Sequence, residues 1–240
     1  MEKRQELYRG KAKTVYATDD PHRLVMHYRD DVSAFDGVKL AQLPQKGETN
    51  NKINAYVMDK LMAADVPTHF VRVLNDRESL VKAMKMVPVE CVVRNICAGS
   101  MAKRYGIDEG TRLREPIFEF FLKSDALHDP LVNDDHIRVL GWASADEIEE
   151  MKALTHKVNA ILKPLFANAG IDLVDYKLEF GHPTEDPQGR LVLGDEFTPD
   201  GCRLWDAKTG EKMDKDRFRR DLGSVIEHYR EVARRIGAPL

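Results

Sequence analysis

Behind the stretch SADE, the apolar residues Ile148, Met151, Leu154, Val158, Ile161 and Leu165 recur at three- and four-residue spacings, the period of an amphipathic helix. Ser144 supplies an N-cap and Glu147 completes a capping box; Pro164 is expected to kink this helix and Gly170 to end it. A second stripe, Ile53, Val57 and Leu61, runs through TNNKINAYVMDKLMAAD, with Thr49 or Asn50 as the expected N-cap. A third runs through DRFRRDLGSVIEHYREVARRIG, where Phe218, Leu222, Val225, Tyr229, Val232 and Ile236 share one side and Gly237 closes the helix. AGSMAKRYG reads as a short helix that begins near Gly99 and Ser100 and stops at Gly106.

Elsewhere the period shortens to two or is lost. Residues 6–30 place β-rich runs around Gly10 and the turn former DDPH, an antiparallel meander. PVECVVRN is a strand candidate, whereas residues 76–87 fit helix or strand. IDLVDYKLEF, the turn-rich GHPTEDPQGR and LVLGDEF predict a hairpin with a long loop. In LVDYKLEFG, residues 173–181, alternation sets Asp175, Lys177 and Glu179 on one face and Val174, Tyr176, Leu178 and Phe180 on the other. Taken alone, a half-buried strand with one solvated face accounts for that pattern. The second arm changes the balance, because a hairpin symmetric about residue 187 sets Glu179 opposite Asp195 with Cβ atoms about 5 Å apart. Facing carboxylates repel unless a proton, a cation or a metal intervenes. Lys177 supplies one charge, for which its neighbour Asp175 competes. Oxygen donors without a nearby His or Cys favour Mg²⁺ bridging carboxylates to phosphates. A slip of one residue in register would turn Asp195 to the opposite face.

Composition narrows the class. The chain of 240 residues is long enough for one large domain or two smaller ones; its weakly marked boundary is expected near residues 80–90. With 37 basic and 40 acidic residues the net charge is −3, against a general nucleic-acid binder. Cys91, Cys97 and Cys202 are odd in number and lack C-x-x-C spacing, so reduced thiols are expected rather than disulfides or a zinc ribbon. No apolar run approaches a membrane span, and a soluble, cytoplasmic protein is expected.

Local basic clusters therefore need local reasons. Lys11 and Lys13 sit two apart beside Gly10, on one face of a strand or turn edge, where they reach phosphate oxygens or guard a sheet edge; both readings stand. Arg94 followed by Gly99 and Ser100 in RNICAGS suits a phosphate, or a surface ion pair beside a helix cap. FLKSDALHDP adds Lys123, Asp125, His128 and Asp129, and PDGCRLWD adds Arg203. These features alone point to a nucleotide-dependent phosphotransferase such as a small-molecule kinase, or to a nucleotide-binding module without catalysis. The module leaves the paired acids unexplained.

MVPVECVVRNICAGS (residues 86–100) and LVDYKLEFG resemble the two signature motifs of the SAICAR synthetase family of purine biosynthesis. LYRGKAKTVY, SAFDG, QKG, FLKSDALHDP, LGDEFTPDGCRLWD and MDKDRFR resemble it too, in order and spacing, over nearly the whole chain. The resemblance implies an α+β fold: an N-terminal, mostly antiparallel sheet domain resembling a kinase N-lobe (residues 1–86), and a larger α/β domain (87–240), with ATP in the cleft between them. It implies an ATP-dependent ligase joining L-aspartate to the carboxylate of carboxyaminoimidazole ribonucleotide (CAIR) through an acyl phosphate, with ATP and Mg²⁺ as cofactors and a homo-oligomer, a dimer first, as the assembly. By motif position, Glu179 and Asp195 hold Mg²⁺; Lys11, Lys13, Lys123, Val15, Leu24 and Met86 contact ATP; Arg94, Ser100 and Arg203 hold the ribonucleotide phosphate; and Glu90, Asp129, Asp175 and Lys177 lie nearer its reacting end. Asp175, Lys177, Lys123, Asp129 and Asp36 form the implied catalytic set, and Ser33, Lys46, Lys215 and Arg219 match further substrate positions.

Overall fold

The computed structural model describes residues 2–35 and 37–240, so the expectation for Asp36 lies outside the described residues. The meander predicted for residues 6–30 is present as Lys3–Arg9 (β1), Lys13–Thr18 (β2) and Arg23–Tyr28 (β3). Asp31–Ala34 (β4) and Lys39–Gln42 (β5) form a separate two-stranded ribbon, followed by the helix Lys46–Met62 (α1). Phe70–Asn75 (β6) and Glu78–Lys82 (β7) complete an antiparallel sheet in the order β1-β2-β3-β7-β6, which makes the ambiguous segment strand.

Helix α1 starts earlier than its Thr49 and Asn50 signal predicts. Gln45 stands at φ 72° before it, and Asp30 Oδ1 accepts from the Gly47 amide at 2.9 Å, so a remote carboxylate caps the first turn. Thr49 and Asn50 are buried within that turn.

The second sheet begins with Met84–Ile96 (β8), next to the short helix Gly99–Tyr105 (α2), which Gly106 ends at φ 63°. Arg112–Leu122 (β9), Leu131–Val132 (β10) and the helix Asp134–Val139 (α3) follow. Ala145–Asn168 (α4) has the predicted capping box between Ser144 and Glu147 and retains Pro164 inside it. Ile171–Pro183 (β11), Val192–Gly194 (β12) and Cys202–Asp206 (β13) complete the sheet, in which β11 is paired along one edge with β8 and along the other with β13 and then β12. LVDYKLEFG is thus an interior strand rather than one arm of an isolated hairpin. One face of β8 and β11, with Val89, Cys91, Val93, Tyr176, Leu178 and Phe180, packs on the α4 stripe Ile148, Met151, Leu154, Val158 and Leu162 in the main core. The five buried apolar side chains of that stripe contribute about 1.5 to 3 kcal/mol each.

Two expectations fail here for identifiable reasons. Val174 does not join Tyr176 and Leu178: a bulge between Leu173 and Asp175 breaks the alternation, and Val174 packs with Ile96, Ala98 and Trp205 instead. The predicted last helix is two, Asp216–Arg219 (α5) and Val225–Ile236 (α6), because Asp221, Gly223 and Ser224 take φ of 56°, 70° and 48°. Arg217 donates to the carbonyls of Leu222 at 3.0 Å and Gly223 at 2.7 Å, satisfying the acceptors that the broken helix leaves open, and Leu222 turns out to solvent. Among the described residues no helix is long and apolar enough to cross a membrane, and Cys91, Cys97 and Cys202 are buried free thiols.

Candidate active site

A cavity of about 600 Å³ lies between the two sheets. Its first-sheet wall carries Val15, Leu24, Met26 and Val81, with Met84 and Met86 closing that end from β8. Lys11 and Lys13 enter from the β1–β2 turn and its edge, and Ser33, Ala34 and Phe35 from the end of β4. The floor is the polar face of the second sheet, Glu90 from β8 and Asp175, Lys177 and Glu179 from β11, with Asp195, Glu196, Asp200, Arg203, Lys215 and Arg219 around it. Lys123, Asp125 and Asp129 come from the segment after β9. Asp125 accepts from Lys11 at 2.9 Å, an exposed ion pair that bridges the mouth and contributes little energy.

The pairing of Glu179 with Asp195 is corrected by the register. Glu179 pairs with Gly194, one residue short of the symmetric hairpin. Asp195 ends the strand at φ 55°, a left-handed conformation that returns its carboxylate to the floor. Both acids therefore meet one cation: Lys177 Nζ bonds Glu179, Asp195 Oδ2 at 3.0 Å and Glu90 Oε1 at 3.1 Å. Asp175 does not compete for that ammonium. Its Oδ2 accepts instead from Arg94 Nη1 and Arg203 Nη1, each at 2.9 Å.

Burial and charge act against each other across this floor. Desolvation would lower the Lys177 ammonium, but Asp195, Glu179 and Glu90 outweigh it and hold it well above its usual value. Burial would raise Asp195, yet Lys13, Lys177 and Lys123 together keep it well below the usual carboxylate range. Glu90 and Glu196 go the other way: burial raises both, despite Lys177 beside the first and Lys13 beside the second. Lys13 ion-pairs with both Asp195 and Glu196, and Lys123 with Glu179.

Lys215 differs from the other cations. Among the described residues it makes no ion pair, and burial, with Arg219 and Lys46 nearby, lowers its pKa in spite of Asp200. Arg219 and Arg203 are both anchored on the buried Asp216, at 2.6 and 2.9 Å. Gly99, at φ 57°, makes room for Arg203: a Cβ there would stand 2.5 Å from the guanidinium.

Three of the sequence-selected residues lie behind the wall rather than in it. Arg94 is buried between Asp175 and Glu119 with Ser100 Oγ 3.2 Å from its Nη2, and Lys46 is buried against Asp200 at 2.6 Å. The remaining candidates, Asp36 and His128 aside, line the cavity. Sequence reading passed over Glu196, Asp200 and His69. Glu196 sits beside Asp195 in LGDEF and could have been weighed with it, whereas His69, in a short run between α1 and β6, carried no pattern.

The acids fit a hard cation. Carboxylate oxygens from β8, β11 and the end of β12 surround one positive centre without nitrogen or sulfur donors. Among the described residues no group of three or more His, Cys, Asp or Glu side chains is arranged to hold a metal ion by itself.

A family model described as SAICAR synthetase matches residues 6–236. Phosphoribosylaminoimidazole-succinocarboxamide synthase of Idiomarina loihiensis is 63% identical over 240 residues, covering all of both chains. The crystal structure of the enzyme of that name from Ehrlichia chaffeensis superposes with a TM-score of 0.96 at 46% identity, covering 98% of this chain and 100% of that one. A SAICAR synthetase in complex with ADP superposes with a TM-score of 0.93 at 44% identity, covering 98% of each.

Proposed function

The chain belongs to the SAICAR synthetase family, and from that premise we propose how its cavity divides the work of an ATP-dependent ligase. The enzyme joins L-aspartate to the carboxylate of CAIR and releases SAICAR, ADP and phosphate. A carboxylate is a poor electrophile. One of its oxygens first takes the γ-phosphoryl group of ATP; the amine of aspartate then attacks the acyl carbon, loses a proton, and phosphate departs.

The observation that carries this reading is the charged floor beside an apolar pocket in one cavity. The base and ribose of ATP occupy the end formed by Val15, Leu24 and Met86, and Lys11, Lys13 and Lys123 receive its phosphates. Glu179 and Asp195 would hold Mg²⁺, which when bound offsets phosphate charge and favours phosphoryl transfer. Lys177 stands between the acids and the transferred group, where an ammonium follows a moving phosphoryl oxygen.

Arg203, held by Asp175 and Asp216, presents its fork to the ribonucleotide phosphate, with Arg94 and Ser100 supporting Asp175 from behind. Ser33, Lys215 and Arg219 form the aspartate end, because among the described residues Lys215 lacks the carboxylate partner that its neighbours have. Lys46 fixes Asp200 there. Glu90, with its raised pKa, and Asp175 and Asp129 are the carboxylates available to the amine proton.

Residues 1–86 form the nucleotide-holding unit and 87–240 the ribonucleotide unit, β8 running through their junction. The enzyme works in the cytoplasm, in keeping with three buried free thiols. The exposed apolar side chains Val38, Leu40, Val139 and Leu140 suit association of two copies. A coupled assay with CAIR, aspartate and MgATP, each omitted in turn, tests the function: SAICAR must form only with all present, and phosphate release without aspartate at the full rate would indicate a simple phosphotransferase.

A further inference from the structure

His69 is 3% exposed, yet it lines the cavity, at the junction between the first sheet and the β12 strand. Its backbone is fully engaged: its amide donates to Leu193 O at 2.8 Å and its carbonyl accepts from Lys82 at 2.8 Å. The ring is fixed as well. Nδ1 lies 3.0 Å from the same Leu193 carbonyl, which can only accept, so Nδ1 carries the hydrogen and Nε2 presents a lone pair. Nε2 is buried without a hydrogen-bond partner. Burial, the largest influence, lowers the ring's pKa to about 4, so it stays neutral at working pH.

A buried acceptor left without a donor is costly, and such groups stay where a ligand or water completes them. The neighbours indicate which part of a ligand comes here. Phe70, the next residue, pairs with Val81, and Leu193 adjoins Gly194, whose Cα lies under the Met86 thioether; Val81, Gly194 and Met86 all line the apolar end. We propose that His69 Nε2 accepts a hydrogen bond from the 6-amino group of the nucleotide base and thereby selects adenine over guanine. Guanine offers a carbonyl oxygen at position 6, and two acceptors facing each other in a buried site repel. The proposal rests on the reading that this end holds the base of ATP.

The test pairs a change in the protein with a change in the ligand. kcat/KM is measured with ATP and with purine riboside triphosphate, which has hydrogen at position 6, for the native enzyme, His69→Phe and His69→Gln. The native enzyme is expected to prefer ATP. His69→Phe should lose about tenfold with ATP and little with the analogue, the size of one neutral hydrogen bond. Equal losses with both nucleotides would assign the ring a packing role only and overturn the proposal, as would a native enzyme that uses the two equally well. If the Phe variant does not fold, His69→Gln decides: its amide can donate to guanine, so GTP use relative to ATP should rise about tenfold, and an unchanged ratio overturns the contact. Failure of every triphosphate to support SAICAR formation would instead overturn the underlying functional reading.

Discussion

At its apolar end the cavity is lined by Val15, Leu24, Met26, Val81, Met84 and Met86, with His69 and Lys82 beside them, whereas the floor packs Lys13, Lys177 and Arg203 against Asp195, Glu196, Glu179, Glu90, Asp175 and Asp216. The first end gains from displacing water and from shape. The second meets substrates that bring several negative charges, and its own acids already hold the cations in place. On the proposed reading these ion pairs exchange partners on binding: substrate anions would take the ammonium and guanidinium groups and leave the acids for a divalent ion or for positioning. Burial thus has opposite uses, dehydrating a base at one end and strengthening charge at the other.

The sharpest break of that contrast is at the acids. Glu179→Gln or Asp195→Asn should lower kcat roughly 100- to 1,000-fold while the circular dichroism spectrum stays unchanged. Near-normal rates in both variants would remove the metal role from the floor.

Acid titration separates the ends differently. His69 is neutral in the folded protein down to about pH 4, whereas in the unfolded chain it gains a proton near 6.5. The unfolded state therefore binds more protons in that window, and stability falls as pH drops from 6.5 to 4, by roughly 3 kcal/mol from this group. Urea midpoints of the native protein should fall more steeply over the window than those of His69→Gln; parallel curves would show that the ring is not held neutral.

If Arg203 holds the ribonucleotide phosphate as proposed, Arg203→Ala should raise the KM for CAIR roughly 10- to 100-fold and leave that for ATP within about twofold. Isothermal titration showing the reverse order would exchange the two ends.

The smallest effect is expected at Gly194. A Cβ there would stand 2.8 Å from Met86 Cε and 3.1 Å from its sulfur, and that flexible thioether can yield toward the base. Gly194→Ala should raise the KM for ATP about two- to fivefold with kcat unchanged. A change in CAIR affinity instead would place the glycine outside the nucleotide end.

Helix α4 was legible because its cap, period and stop all lie in one stretch, from Ser144 to Gly170, and depend on nothing distant. The start of α1 was not, since Asp30 caps it from the bend between β3 and β4; nor was the break before α6, which depends on the Arg217 side chain reaching two carbonyls beyond it. The site divides in the same way. Its charged members in LVDYKLEFG and LGDEF stood out only when the two arms were set against each other, and the family motifs carried most of the others. His69, with no charge and no spacing, was invisible.

By itself, then, the sequence determined the N-terminal meander, helix α4, which face of β11 is charged, and the family to which the chain belongs, because periodicity, caps and motifs are local. Only the tertiary structure decided what those charges meet. Whether Glu179 faces Asp195 turns on one residue of register, and the answer is that Gly194 faces it while a left-handed turn at Asp195 brings the acid back to Lys177. Long-range pairing sets that geometry, and a period-two pattern cannot distinguish a strand at a sheet edge from one with neighbours on both sides.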